Sequence, residues 1–396
     1  QDFVRSYAEA VYGVAPAEVI GSTIKVEYGY HAKGQGVLMR EPKVELNNNN
    51  SGKPEDIYLF TGQRPGAAFG NSTGDRQMLE WTTSGSGKRL GMLVLHDDAY
   101  DPKKTVEIVQ GVITANSAFA FFGTFGTANN EALIPLAQAA GMPVFTPYTG
   151  ATSVRAKSLS GVFNLRASYA DEAERSVEHL ATVGIVRIAV LHQNNSFGKE
   201  FLSAAMQAME KRGLKPVLVA AIESDASNAA AAAEKAASSS AEAVLLGLAG
   251  KPAIQAIQQI SQRRRGLTMY GLSVLGTAAN LKTLGAAGTG VNITQVVPFP
   301  TNAALSLVRE YQQAMAAAGV AEYSHQSLEG YANAKLVAEG LRRAGKSITR
   351  GNVVSALEDM RSYNMGGLTA SFGQGAASAS KFVELTMIGT QGRLIR

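Results

Sequence analysis

The chain has 396 residues and a mass of 41.6 kDa, with 45% hydrophobic and 17% charged residues, a net charge of +5 and a pI near 9.2. This composition fits an ordinary folded protein of two or three domains and excludes a disordered chain. Cysteine is absent, which excludes disulfides, thiolate metal sites, Fe–S clusters and cysteine nucleophiles.

No run of about 18 apolar residues is present, so no transmembrane helix is expected. Gln1-Asp2-Phe3 lacks the basic start and apolar run of a signal peptide. The basic residues are scattered. Their densest cluster, Arg263-Arg264-Arg265, falls at a helix end, where arginines complement the dipole rather than form a nucleic-acid patch. The histidines at 31, 96, 179, 192 and 325 make no i,i+4 pair, so no zinc site is expected; no other metal and no cofactor is expected.

In chain order, residues 7–12 read as helix, and 19–30 and 36–46 as two β segments. Asn47-Asn48-Asn49-Asn50-Ser51-Gly52 reads as a turn or mobile loop. Residues 66–70, 75–82 and 89–96 read as strand, helix and strand. From about residue 100 the pattern becomes regular. Strands are predicted at 119–124, 143–148, 186–193, 215–223, 241–249, 267–273 and 293–300. Helices are predicted at 103–116, 130–140, 170–183, 199–212, 252–265, 303–318 and 327–344. Asp101 suits a cap, and Pro102 suits a first helical position, where no N–H is needed. The Ala/Ser-rich stretch 224–241 predicts a helix packed loosely on the surface. VRIAVLH and AEAVLLGLA are apolar on both faces, as parallel strands covered by helices must be. Repeated β-then-α order means an α/β fold, and the number of strands predicts two doubly wound parallel-sheet lobes joined by crossovers.

Two strand ends carry residues suited to a ligand. In FGTFGT, Gly123 and Gly126 let the backbone turn, Thr124 and Thr127 add hydroxyls, and the helix that follows presents unpaired N–H groups to an anion. An ordinary glycine-rich turn has the same spacing. Phe197, at the C-terminal edge of a strand, suits either a cleft wall or core packing. No Gly-x-Ser-x-Gly elbow, Walker loop or His-Glu-x-x-His is present. Asp97 and Asp98 would point to opposite faces of a strand, and read as loop and cap residues before Pro102.

The segments HDDAYDPKKTVEIV, FAFFGTFGTANNEALIPLAQAAGMPVFTPYTGA, VFNLRASYADEAERSVEHL, VLHQNNSFGKEF, ITQVVPFP, SLEGYANAKLVAEGLRRAG and KFVELTMIGTQGRLIR resemble type I periplasmic binding proteins. The similarity is to the branched-chain amino-acid group serving ABC importers, over about residues 97–396. It implies that Thr124, Phe125, Gly126 and above all Thr127 hold a ligand carboxylate, with Tyr148, Thr149 and Thr152 beside it and Phe197 stacking on it. Ser273 stands where amino-acid binders of this group often place an acid for the ammonium, and Ala249 offers no aromatic across from it. A plain branched-chain amino acid is therefore not expected. Glu329 is a substitute acid, or else a capping or solvent-facing residue. The implied partners are a small-molecule ligand and an ABC permease, with no nucleic acid and no membrane contact except through the permease. The implied location is periplasmic or extracellular.

The front is similar to something else. FVRSYAEAVYGVAPAEVIGS, NNNNSGKPEDI and RPGAAFGNSTGDRQMLEWTT resemble the C-terminal half of a haloacid-dehalogenase-type phosphatase. By this resemblance Lys53 faces phosphate and GNSTGD is an acidic metal motif that retains Asp75 but has Thr73 in place of an acid. The nucleophile motif Asp-x-Asp and the Ser/Thr phosphate motif are missing. The chain thus reads as composite, with a join near Leu95–Tyr100. The expected division is an extension at 1–56, a first lobe of 57–163 plus 299–375 and a second of 164–298 plus 376–396. Residues 66–96 would open the first lobe as a β-α-β unit, with the Asn71-Ser72-Thr73 turn near the cleft. The expected function is the solute-binding component of an importer, not an enzyme. A metal-dependent phosphatase and a ligand sensor without transport are the alternatives.

Overall fold

The periodicities of the sequence are realised in two units, Gln1–Ala99 with Lys103–Phe121, and Tyr100–Pro102 with Phe122–Arg396. The computed structural model describes residues 2–12, 14–70, 73–87, 89–93, 102–116, 118–156, 159–346, 348–372 and 378–396. The expectations for His96, Asp97, Asp98, Asp101, the Leu95–Tyr100 join and Asn71-Ser72 lie outside these residues.

In the first unit, helix α1 (Asp2–Tyr12) precedes an antiparallel hairpin of β1 (Thr23–Tyr30) and β2 (Gly36–Leu46). Helix α2 (Gly52–Thr61) follows and stops at Gly62, whose positive φ of 66° gives a left-handed cap. This helix was not read from the sequence, because the asparagine run before it looks like loop and its own apolar residues lack a clear stripe. Strand β3 (Ala67–Gly70) lies parallel to β4 (Leu90–Leu93), with α3 (Arg76–Thr83) between them in sequence. That is the predicted β-α-β unit. Helix α4 (Pro102–Thr114) closes the unit.

The second unit begins with a three-stranded sheet of β5 (Phe121–Phe122), β6 (Val144–Phe145) and β7 (Val162–Phe163), with α5 (Thr127–Ala139) after β5. Then come α6 (Tyr169–Thr182), β8 (Ile188–Gln193), α7 (Ser196–Glu210), β9 (Leu218–Ile222), α8 (Ala229–Ser238) and β10 (Ala243–Gly247). They are followed by α9 (Gly250–Arg263), β11 (Thr268–Gly271), α10 (Ala278–Leu284) and β12 (Asn292–Gln295). After α11 (Ser306–Ala317), α12 (His325–Arg343) and α13 (Arg350–Glu358), the short β13 (Tyr363–Asn364) pairs with β14 (Thr369–Ala370). The chain ends with β15 (Glu384–Ile388) and β16 (Leu394–Ile395). The large sheet has seven strands in the order β16-β15-β12-β11-β10-β8-β9. Its β8, β9, β10, β11 and β12 are parallel, as the two-sided apolar runs predict, and β15 and β16 join as antiparallel strands.

Every residue of β8 and β10 is buried. Ala189, Leu191, Val244 and Leu246 face one core with α8 and α9, while Ile188, Val190, Ala243 and Leu245 face another with α6 and α7. Some strands are shorter than their apolar runs. Thr146 turns to a φ of 50° and Pro147 has no N–H, so β6 stops at Phe145.

The Ala/Ser-rich stretch corrects its expectation. Ala229, Ala232, Ala233 and Ala236 are all buried in the core of the large sheet. Alanines at this spacing give α8 a flat face, which lets it approach closely instead of packing loosely. Among the described residues no helix is long and apolar enough to cross a membrane. Ala233→Leu should overfill this contact and cost about 1–3 kcal/mol of stability, read from urea unfolding.

Candidate functional site

The site residues gather where β5 and β6 end. Gly123 (φ 64°) and Gly126 (φ 88°) turn the chain so that Thr127 becomes the first residue of α5. Thr124 is committed to holding this turn. Its hydroxyl donates to Asn130 Oδ1 at 2.5 Å, and Asn130 Nδ2 donates back to the carbonyls of Thr124 (2.8 Å) and Gly126 (2.7 Å). The neighbouring turn is tied to it by Tyr148 N–H, which donates to Thr124 O at 2.8 Å. The Phe125 and Tyr148 rings stack at 5.3 Å.

Thr127 Oγ1 and Thr149 Oγ1 lie 2.8 Å apart, both buried. Thr149 also reaches the Tyr169 hydroxyl at 3.4 Å and accepts from Ala151 N–H at 3.2 Å. Two predicted hydroxyls therefore converge at a helix N-terminus, whose first N–H groups lack intrahelical partners. Phe197 lies behind them, buried, with its ring edge-on to Tyr169 at 5.2 Å. Thr152 stands apart: it is exposed, and its N–H donates to Glu200 Oε2 at 3.2 Å.

The sequence reading missed the charged centre of this region. Arg166, between β7 and α6, has a side chain only 1% exposed and lies with its guanidinium carbon 4.5 Å over the Tyr148 ring. Its Nη2 donates to Ser273 Oγ, its Nε stands 3.5 Å from Glu329 Oε1, and Nη2 stands 3.8 Å from Glu172 Oε1. Glu172, on α6, accepts from Ser273 N–H (2.8 Å), Ser273 Oγ (3.1 Å) and Thr294 Oγ1 (2.5 Å). So Ser273, which replaces an expected acid, is bonded to a buried acid from another element. Glu329, on α12, is buried against Arg166, which removes the capping and solvent-facing alternatives. Arg155 is buried beside them, donating to Ala151 O (2.8 Å), Arg166 O (3.3 Å) and Ser378 Oγ (2.8 Å).

Burial governs the titration of this cluster. It pulls Arg155 down to about 10, and the neighbouring Arg166 charge pulls the same way. It would also pull Arg166 down, but Glu329, Tyr148 and Glu172 outweigh it and hold the guanidinium above its ordinary value. Burial raises Glu329, with Arg166 opposing and Glu172 adding to the rise. Burial and then the Glu329 charge raise Tyr148. In sequence, Glu172 follows the Ser168–Asp171 capping box and so reads as a first-turn acid favoured by the helix dipole. Nothing local marks it, or Arg166, as part of a buried charge set.

In the first unit, Lys53 Nζ pairs with the buried Asp75 carboxylate, and Asn48 Nδ2 donates to Asp56 Oδ2 at 2.8 Å. Among the described residues no group of three or more His, Asp or Glu is arranged to hold a metal ion.

Helix-covered parallel strands, with polar side chains converging at strand ends, define an α/β protein with a site suited to a small solute. The chain belongs to the periplasmic binding protein family, whose sequence model matches residues 82–388. The match begins earlier than residue 97, where the sequence resemblance starts, and takes in β4. A substrate-binding periplasmic protein from Ralstonia solanacearum superposes with a TM-score of 0.71 at 28% identity, covering 83% of this chain and 98% of that one. A possible leucine/isoleucine/valine-binding protein from Rhodopirellula baltica gives 0.70 at 23% identity, covering 83% and 95%. An amino acid binding protein from Pseudomonas aeruginosa is 24% identical over 182 residues, 46% of this chain, and the alignment spans 48% of that relative's length. The resemblance to type I periplasmic binding proteins therefore holds. The chain is a solute-binding protein of an extracytoplasmic family and not an enzyme.

Two predictions concern the charged cluster and its surroundings. Glu172→Ala should leave Arg166 short of a counter-charge and unseat Ser273 and Thr294, costing about 3–5 kcal/mol in urea unfolding. His325, buried with its ring edge-on to Phe299 at 5.2 Å, is lowered from 6.5 to about 4 by burial and then by the Arg396 charge. The unfolded chain thus takes up this proton before the folded one does. Stability should fall as pH drops from about 6.5 towards 4, by up to ~3 kcal/mol, and this group should contribute no slope above pH 7. His325→Asn should flatten that part of the pH–stability curve.

Proposed function

We propose that the chain captures a small carboxylate-bearing solute, an amino acid, amide or organic acid, and delivers it to an ABC permease from the periplasm or the outer cell surface. The meeting of the Thr127 and Thr149 hydroxyls at the start of α5 carries this reading. A carboxylate there accepts from one of these hydroxyls, or from both once their mutual bond opens, and lies against the positive end of the helix dipole. The stacked Phe125 and Tyr148 rings supply an apolar wall. Glu329 receives an ammonium where the ligand has one, since its carboxylate is buried and makes no hydrogen bond among the described residues.

The two lobes of this reading are 57–163 with 299–375, and 164–298 with 376–396. In support, residues 122–163 and 186–298 of the second unit contribute to separate sheets. Hinged closure of two lobes gives such a protein its means of burying a solute. The amino acid binding relative from Pseudomonas aeruginosa supports a ligand of this class.

Thr127→Ala should remove one charge-assisted hydrogen bond and weaken binding by roughly 1.5–3 kcal/mol. Calorimetric titration with the best solute from a thermal-shift screen of amino acids, amides and carboxylates measures this. Unchanged affinity would place the carboxylate elsewhere.

A further inference from the structure

Arg166 has more donors than the protein uses. Ser273 takes Nη2, and Glu329 lies near Nε without a hydrogen bond. Among the described residues Nε and Nη1 are both buried without an acceptor. The Tyr148 ring covers the guanidinium face, so an acceptor for Nη1 must approach close to the guanidinium plane. Glu172 cannot turn to serve Nη1 without releasing Ser273 and Thr294. A buried donor left unpaired is expensive, and a guanidinium donor more so.

The charges limit what can fill this corner. Arg155 and Arg166 balance Glu172 and Glu329, all four of them buried. A zwitterionic head group preserves that balance, whereas a second carboxylate adds an uncompensated buried charge. A neutral carbonyl oxygen satisfies Nη1 without doing so.

Building on the capture reading above, we infer that Arg166 is a specificity-determining ligand contact. The solute it selects is an amino acid whose side chain ends in a neutral carbonyl acceptor, a carboxamide foremost. The carboxylate sits at Thr127 and Thr149, the ammonium at Glu329 and the carboxamide oxygen at Arg166 Nη1. A purely aliphatic side chain leaves Nη1 unpaired, and an acidic one unbalances the cluster.

The test is calorimetric titration of the protein with glutamine, asparagine, glutamate, leucine and isovalerate. Glutamine or asparagine should bind at least about tenfold more tightly than leucine and glutamate, since one buried unpaired donor costs on that order. Arg166→Met keeps the side-chain length but removes the donors. It should lower carboxamide affinity about tenfold more than leucine affinity, so that the preference collapses. If this variant does not fold, the ranking by the unmodified protein decides. Leucine or glutamate binding as tightly as the carboxamides would overturn the inference, as would a preference that survives Arg166→Met. Binding of isovalerate alone would leave the capture of a carboxylate standing and overturn the role of Arg166. Binding of none of the five would overturn both.

Discussion

A guanidinium with no access to water must be neutralised where it stands, and the centre of this protein is arranged around that requirement. Arg166 lies between two buried carboxylates, Glu172 and Glu329, which reach it from α6 and α12. The same Glu172 holds the Ser273 turn after β11 and Thr294 of β12. One charge thus ties together a helix, two strand ends and the long α12, elements far apart in sequence. The geometry of the neighbouring threonine pair follows, because Tyr148, the residue before Thr149, carries the Arg166 guanidinium on its ring.

The scaffold makes such a centre affordable. Strands β8 and β10 are buried on both faces, so they form a rigid floor whose position is fixed by two separate cores. Polar side chains are confined to the ends of the strands and the starts of the helices. There, unpaired N–H groups and open backbone make hydrogen bonding to a solute favourable. Phe197 and Tyr169 illustrate the division of labour. The first packs into the core, and the second uses that support to hold its hydroxyl near Thr149.

The first unit follows different rules. Its hairpin leaves Val26, Tyr28, Tyr30, Leu38 and Val44 exposed, and its Lys53–Asp75 pair satisfies within the unit two residues that resemble parts of a phosphatase. A lysine and a carboxylate that neutralise each other hold a loop to a helix start. They lack the nucleophile and the oxygen-rich metal site that phosphoryl transfer of that type needs. The family's sequence model matches residues 82–388, which takes in β4 and α4 of this unit as well as most of the second.

The sequence by itself determined the α/β class, the parallel strands and most of the helices, because two-sided apolar runs and 3.6-residue stripes are local signals. It also located the glycine turn at Gly123–Gly126 and Thr127, since those residues lie next to the strand end that places them, whereas Thr149 was indicated by the family resemblance. It missed α2, whose apolar residues form no stripe, and misjudged α8, whose alanines look weakly apolar but permit close packing. Only the tertiary structure decided that Arg166, Glu172 and Glu329 share one buried cluster. Each is unremarkable among its sequence neighbours, as a charge in a loop, at a helix start and on a helix. Their chemistry comes from mutual burial, and burial depends on contacts between residues more than a hundred positions apart, which no local pattern encodes.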